Sequence, residues 1–182
     1  MNFRKFLPIS LLAAFILGMV ALAFPGGTVA AQAPTPPVKD PQAQLARINA
    51  RLEKLFQAEQ KMLDKQAENL DKLDKLTTRV ADLIAKAKAN GKNTSALEAA
   101  MAAFKSKEAD ARTKHLKAAE LIKAHAGFDA NGKVTDRAQA RDTVKNGHDL
   151  LREARQTIVE AAKDFREAVK SWRDANKPKA TK

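Results

Sequence analysis

The chain has 182 residues, with 33 Lys and Arg against 21 Asp and Glu for a formal net charge of +12, and it contains no Cys. These counts exclude a disulfide framework, a zinc–thiolate centre and thiol chemistry. No proline lies between Gln42 and Lys177, which argues for long helices and against a turn-rich β domain.

Residues 1–31 read as a secretory leader. Arg4 and Lys5 give a basic start, Leu7 to Phe24 an apolar run, and Pro25-Gly26-Gly27 a break before the small residues Thr28 to Ala31. Cleavage after Ala30 or Ala31 predicts an exported chain, periplasmic, cell-surface or secreted. An uncleaved leader would instead anchor it, since the apolar run is about long enough to span a bilayer. Residues 32–40 follow as a Pro-rich linker, because Pro34, Pro36 and Pro37 favour extended chain.

The fold class expected is all-α: an elongated antiparallel three-helix bundle over residues 41–176, with helices at about 41–90, 95–126 and 136–176 and a basic tail at 177–182. The first helix starts at Asp40-Pro41, where Asp caps free amides and proline suits the first helical position, and stops at Asn90-Gly91. Leu45, Ile48, Leu52, Leu55, Met62, Leu73, Leu76, Val80 and Leu83 form its apolar stripe, with Phe56, Leu63, Leu70 and Ile84 flanking it.

The second helix begins at Ser95, because Ser95-Ala96-Leu97-Glu98 matches a capping box. Its stripe is Leu97, Met101, Phe104, Ala111, Ala118 and Ile122. The third restarts at Thr135 or Asp136 and repeats every seven residues through Val144, Leu151, Ile158, Phe165 and Trp172. Ala140, Gly147, Ala154, Ala161, Ala168 and Ala175 fill the alternate positions, so large residues meet small ones.

Antiparallel counting through turns centred near residues 91 and 131 predicts two polar clusters in the seams. One is Asn69 with His115 and His148; the other is Glu59 with His125 and Arg137. A polar layer that fixes register accounts for them. A metal held by His115 and His148 with Gln66, Glu68 or Asn69 is the competing idea, but no His-x3-His pair occurs on any helix. Asp129-Ala130-Asn131-Gly132 has a calcium-loop flavour, yet placing Gly132 sixth puts Gly127 first and Ala138 twelfth, where carboxylates are required. A plain turn closed by Phe128 and Val134 fits better.

The counting also leaves the start of the first helix beyond the end of the second, so Leu45, Ile48, Leu52, Leu55 and Phe56 become a candidate surface for self-association or a protein partner. Lys163, Arg166, Lys170, Arg173, Lys177 and Lys179 form a second candidate, for an anionic envelope polymer or membrane surface. With no Tyr and one Trp in the chain, base stacking has little to work with, which disfavours nucleic acid. No cofactor is implied. No Gly-flanked serine, phosphate-cradling glycine loop or HExxH pattern is present, so an enzyme is not expected.

The segments Lys86-Ala-Lys-Ala-Asn-Gly-Lys-Asn-Thr-Ser-Ala-Leu-Glu-Ala-Ala and Ala124-His-Ala-Gly-Phe-Asp-Ala-Asn-Gly-Lys-Val-Thr-Asp resemble those of uncharacterised exported helical-bundle proteins of bacteria. That resemblance implies export and a helical fold but no activity. At the level of class alone the chain is similar to basic periplasmic holdase chaperones. The function expected is therefore that of an exported, non-enzymatic interaction protein, an envelope scaffold or chaperone-like binder, with polyanion or anionic-membrane binding as the alternative.

Overall fold

A computed structural model describes residues 40–176. The leader, most of the linker, and the tail with Lys177 and Lys179 lie outside the described residues. Three helices account for the fold: α1 (Pro41–Ala89), α2 (Ser95–Ala124) and α3 (Arg137–Ala175). No named strand occurs among the described residues, only a single bridge between Phe128 and Val134. Nor is any helix among them long and apolar enough to cross a membrane.

The helix ends follow from local chemistry. Asp40 caps α1, its Oδ1 accepting from the Gln42 amide at 2.9 Å. At the other end Gly91 takes a left-handed φ of 73°. The Lys92 amide then reaches back to the Ala87 carbonyl and the Gly91 amide to that of Lys88, so two carbonyls that the helix leaves open are satisfied. Asp136 caps α3 through the Gln139 amide at 3.0 Å.

The α2 cap corrects the expectation. Thr94, not Ser95, is the residue outside the helix: its hydroxyl donates to Glu98 Oε1 at 2.9 Å and its carbonyl accepts from the Glu98 amide. Ser95 is already helical, and its amide donates to Asn93 Oδ1. The side-chain oxygen that accepts a free amide is thus Asn93 Oδ1, while the Thr94 hydroxyl donates to the Glu98 carboxylate, so this arrangement replaces the expected Ser-to-Glu box.

All three helices follow seven-residue repeats. In α2 the expected stripe is buried throughout, with Leu97, Ala111 and Ala118 fully so, and Glu108 shares it. In α3, Val144, Leu151, Phe165 and Trp172 are buried, whereas Ile158 and Ala168 are half-buried and Ala175 is exposed, a correction at the fraying end.

In α1 the stripe is rotated from the expected one. Phe56, Leu70 and Ile84, placed at the flank by sequence, are buried with Leu73 and Val80, while Ile48, Leu55 and Met62 are exposed. The reason is that the buried seam includes polar residues: Glu59, Gln66 and Thr77 are each at most 5% exposed. Tracking apolar residues alone passes over those positions and shifts the apparent centre by one residue.

The described residues divide into two compact units. One draws on Asn69–Arg112 and the residues from Arg155 onward; its core joins Leu73, Val80, Ile84, Leu97, Met101, Phe104, Phe165, Val169 and Trp172. Phe104 and Phe165 meet at a centroid distance of 6.0 Å, a tilted aromatic contact. Trp172 is also tied by polar contact, its Nε1 donating to the Asn93 carbonyl at 2.6 Å.

The other unit draws on the described residues up to Glu68 and on Thr113–Ala154. Phe56, Ala118, Ile122, Phe128, Ala140, Val144 and Leu151 make its core. Phe56 and Phe128 stack with centroids 4.1 Å apart and planes at 15°. The turn carrying Phe128 depends on Gly127, whose φ is +84° and where a Cβ would come within 2.6 Å of the Asp136 carbonyl oxygen. Only glycine fits both conditions.

Candidate functional site

The surface expected at Leu45, Ile48, Leu52, Leu55 and Phe56 is divided by the structure. Phe56 does not lack a partner, since it is 3% exposed beneath Phe128. Leu52 packs against the same core, and Leu45 is half-buried. The correction has a physical cause: the segment between α2 and α3 folds back onto α1, and Glu53 accepts from Lys133 Nζ at 2.8 Å and from the Val134 amide at 3.3 Å. Lys133 holds Glu53 below its ordinary value.

What stays open is a row one position further round the helix. Ile48, Leu55 and Met62 recur every seven residues and are 43%, 38% and 37% exposed. Beside them on one flank run Arg47, Lys54 and Lys61 in one line and Arg51, Ala58 and Lys65 in another, all exposed. At 100° per residue these two lines lie away from the buried seam. Of the acids in the same stretch, Glu53 is bonded to Lys133 and Glu59 is buried, while Asp64 is exposed one turn from Lys61, on the side of the basic lines away from the apolar row. Sequence reading missed this basic rim, because its place on α1 is defined only by the buried seam beside it.

The polar seam residues do meet, in pairs other than those expected. His115 Nδ1 lies 3.0 Å from Gln66 Oε1, and Gln66 Nε2 donates to the Leu151 carbonyl at 3.0 Å. A carbonyl can only accept, so the amide orientation is fixed, its oxygen must be an acceptor, and His115 must carry a proton on Nδ1. His148 Nδ1 faces Glu59 Oε1 at 3.0 Å. His125 contacts the Lys123 carbonyl, and Arg137 is exposed. Glu59 and His148, expected in separate clusters, are therefore paired with each other, and His115 meets Gln66. Lys114 lies 3.9 Å from Glu153, which sets α3 more than a helical turn from the position that symmetric counting through residue 131 gives.

Glu59 is the more strained of the two carboxylates held in the seams. Its Oε2 is buried without a hydrogen-bond partner. Burial pushes its carboxyl above the ordinary value, and the His148 hydrogen bond offsets only part of that. In the other unit Glu108 is also raised by burial, while Arg112 binds its Oε1 at 2.9 Å, Asp74 at 2.7 Å and the Leu70 carbonyl at 2.7 Å. A guanidinium with several donors can serve three acceptors at once.

At the loop, Asp129 Oδ1 accepts from the Asn131 and Lys133 amides, each at 2.8 Å. The carboxylate thus builds the turn. A concavity of about 580 Å³ opens nearby, bordered by Phe56, Gln60, Asp64, Ile122, His125 and Gly132. No group of three or more His, Asp or Glu able to hold a metal occurs among the described residues.

On α3, Lys163 and Lys170 are exposed, but so are Asp164 and Glu167 between them. Arg166 Nε donates to the Ala162 carbonyl, and Arg173 lies 3.8 Å from Asp174. Cations and acids alternate there, unlike on the α1 flank.

Comparison with family models, with curated proteins and with solved structures finds no match to this chain.

Proposed function

We propose that the chain is an exported, non-enzymatic antiparallel three-helix bundle that acts by docking, as an envelope scaffold or chaperone-like binder, through the amino-terminal half of α1. The leader pattern of residues 1–31 supports export. The observation that carries the docking role is the Ile48, Leu55 and Met62 row, exposed on a helix whose neighbouring seam is packed. Light scattering and client-binding assays on the full chain and on an Ile48→Ser/Leu55→Ser/Met62→Ser variant test it. Loss of association or of client binding in the variant supports the role; identical behaviour of the two proteins overturns it.

A second reading places polyanion binding on α3, supported by the exposure of Lys163 and Lys170. Its interspersed acids weaken the local field, so the α1 reading is preferred.

A further inference from the structure

We infer that the occupant of the α1 face is an anionic lipid surface, with Ile48, Leu55 and Met62 entering the headgroup–acyl boundary and Arg47, Arg51, Lys54, Lys61 and Lys65 facing lipid phosphates. The inference rests on the docking role proposed above and names its target.

The argument is one of charge complementarity. The open apolar row is interrupted by no acid, and five exposed cations flank it within residues 47–65. Two of the three acids in this stretch are withdrawn, Glu53 into its bond with Lys133 and Glu59 into the core, and the third, Asp64, lies beyond Lys61 on the side away from the apolar row. A helix that presents a narrow apolar line beside a basic flank matches an anionic interface, where shallow burial and attraction to headgroups act together. The row spans 48–62, two heptads and about 21 Å along the axis at ~1.5 Å per residue, long enough to meet several lipids at once. An apolar protein groove would need no such one-sided basic rim, and a basic partner would be repelled by it.

The line is also rigidly presented. Phe56 and Leu52, on the neighbouring face of the same turns, are held in the core of their unit, which fixes the rotation of α1 and keeps residues 48, 55 and 62 outward. No refolding is needed to expose them.

Co-sedimentation of the full chain with phosphatidylcholine vesicles, with and without 30 mol% phosphatidylglycerol, over a salt series provides the test. Binding is expected to be stronger with phosphatidylglycerol than without it, and that excess should weaken as salt rises. The Ile48→Ser/Leu55→Ser/Met62→Ser variant and a Lys54→Glu/Lys61→Glu variant should each lose about tenfold or more in partitioning. Circular dichroism confirms that both remain folded. The apolar run Leu7–Phe24 is common to all three proteins, so their difference reports α1 alone. Equal binding to neutral vesicles, or variants that bind as the parent does, overturns the lipid assignment. If vesicles fail but the serine variant still abolishes self-association or client binding, the lipid target falls and the docking role stands. If the serine variant changes neither, both fall.

Discussion

His148 Nδ1 sits 3.0 Å from Glu59 Oε1 while Oε2 of the same carboxylate is buried with nothing to accept from. A carboxylate can only accept, so the histidine must present its proton on Nδ1, and half of the charge is left uncompensated in the seam.

That imbalance makes stability depend on pH in a defined direction. Burial raises Glu59 above 4.5, so the folded chain keeps this proton to a higher pH than the unfolded chain does. The stabilisation is complete below 4.5 and is lost as pH rises through the folded value. Glu59→Gln removes the charged form, so denaturant melts should show it more stable than the parent at pH 7. The gap should close toward pH 4.

Gly127 and Gly91 both have positive φ, but their surroundings differ. At Gly91 no atom lies within 4 Å of an added Cβ, whereas at Gly127 the backbone of Asp136 and Ala140 occupies its place. Gly91→Ala should cost about 1 kcal/mol from the left-handed backbone alone. Gly127→Ala should cost at least about 2 kcal/mol more, because backbone cannot move aside as a flexible side chain can. Equal melting temperatures for the two variants would contradict the turn geometry.

Phe165 is 1% exposed and contacts Phe104, while Lys170 is exposed one turn further along. Phe165→Ala should destabilise by about 3 to 5 kcal/mol and Lys170→Ala by less than about 0.5 kcal/mol. Chemical denaturation read by circular dichroism separates these outcomes.

The position of the α2 cap has its own test. Thr94→Ala should cost about 1 kcal/mol, since it removes the hydroxyl that bonds Glu98, and Ser95→Ala should be near neutral. The reverse order would return the cap to Ser95.

Much of the helical architecture was legible because its determinants are local. Asp40 and Asp136 as caps, Gly91 as a stop, and the Leu97 to Ile122 stripe each follow from a few neighbouring residues. The rotation of α1 was not legible, because Glu59, Gln66 and Thr77 occupy buried positions that their polarity disguises. Their acceptability depends on partners far along the chain, as with Gln66 and Leu151. The pairing of His148 with Glu59 was hidden for a related reason: it depends on how the Phe128 segment folds back, and no spacing rule encodes that. The candidate site suffered from both. Placing Phe56 on an open surface required knowing that Phe128 would cover it, and the rim from Arg47 to Lys65 became visible only once the buried seam was fixed.

The chain's single tryptophan belongs to one compact unit, bonded through Nε1 to Asn93, and its histidines all belong to the other. Intrinsic fluorescence and imidazole proton resonances are therefore separate built-in reporters. Followed together through a denaturant titration, they read whether the two halves melt as one cooperative block or in sequence, with no label introduced.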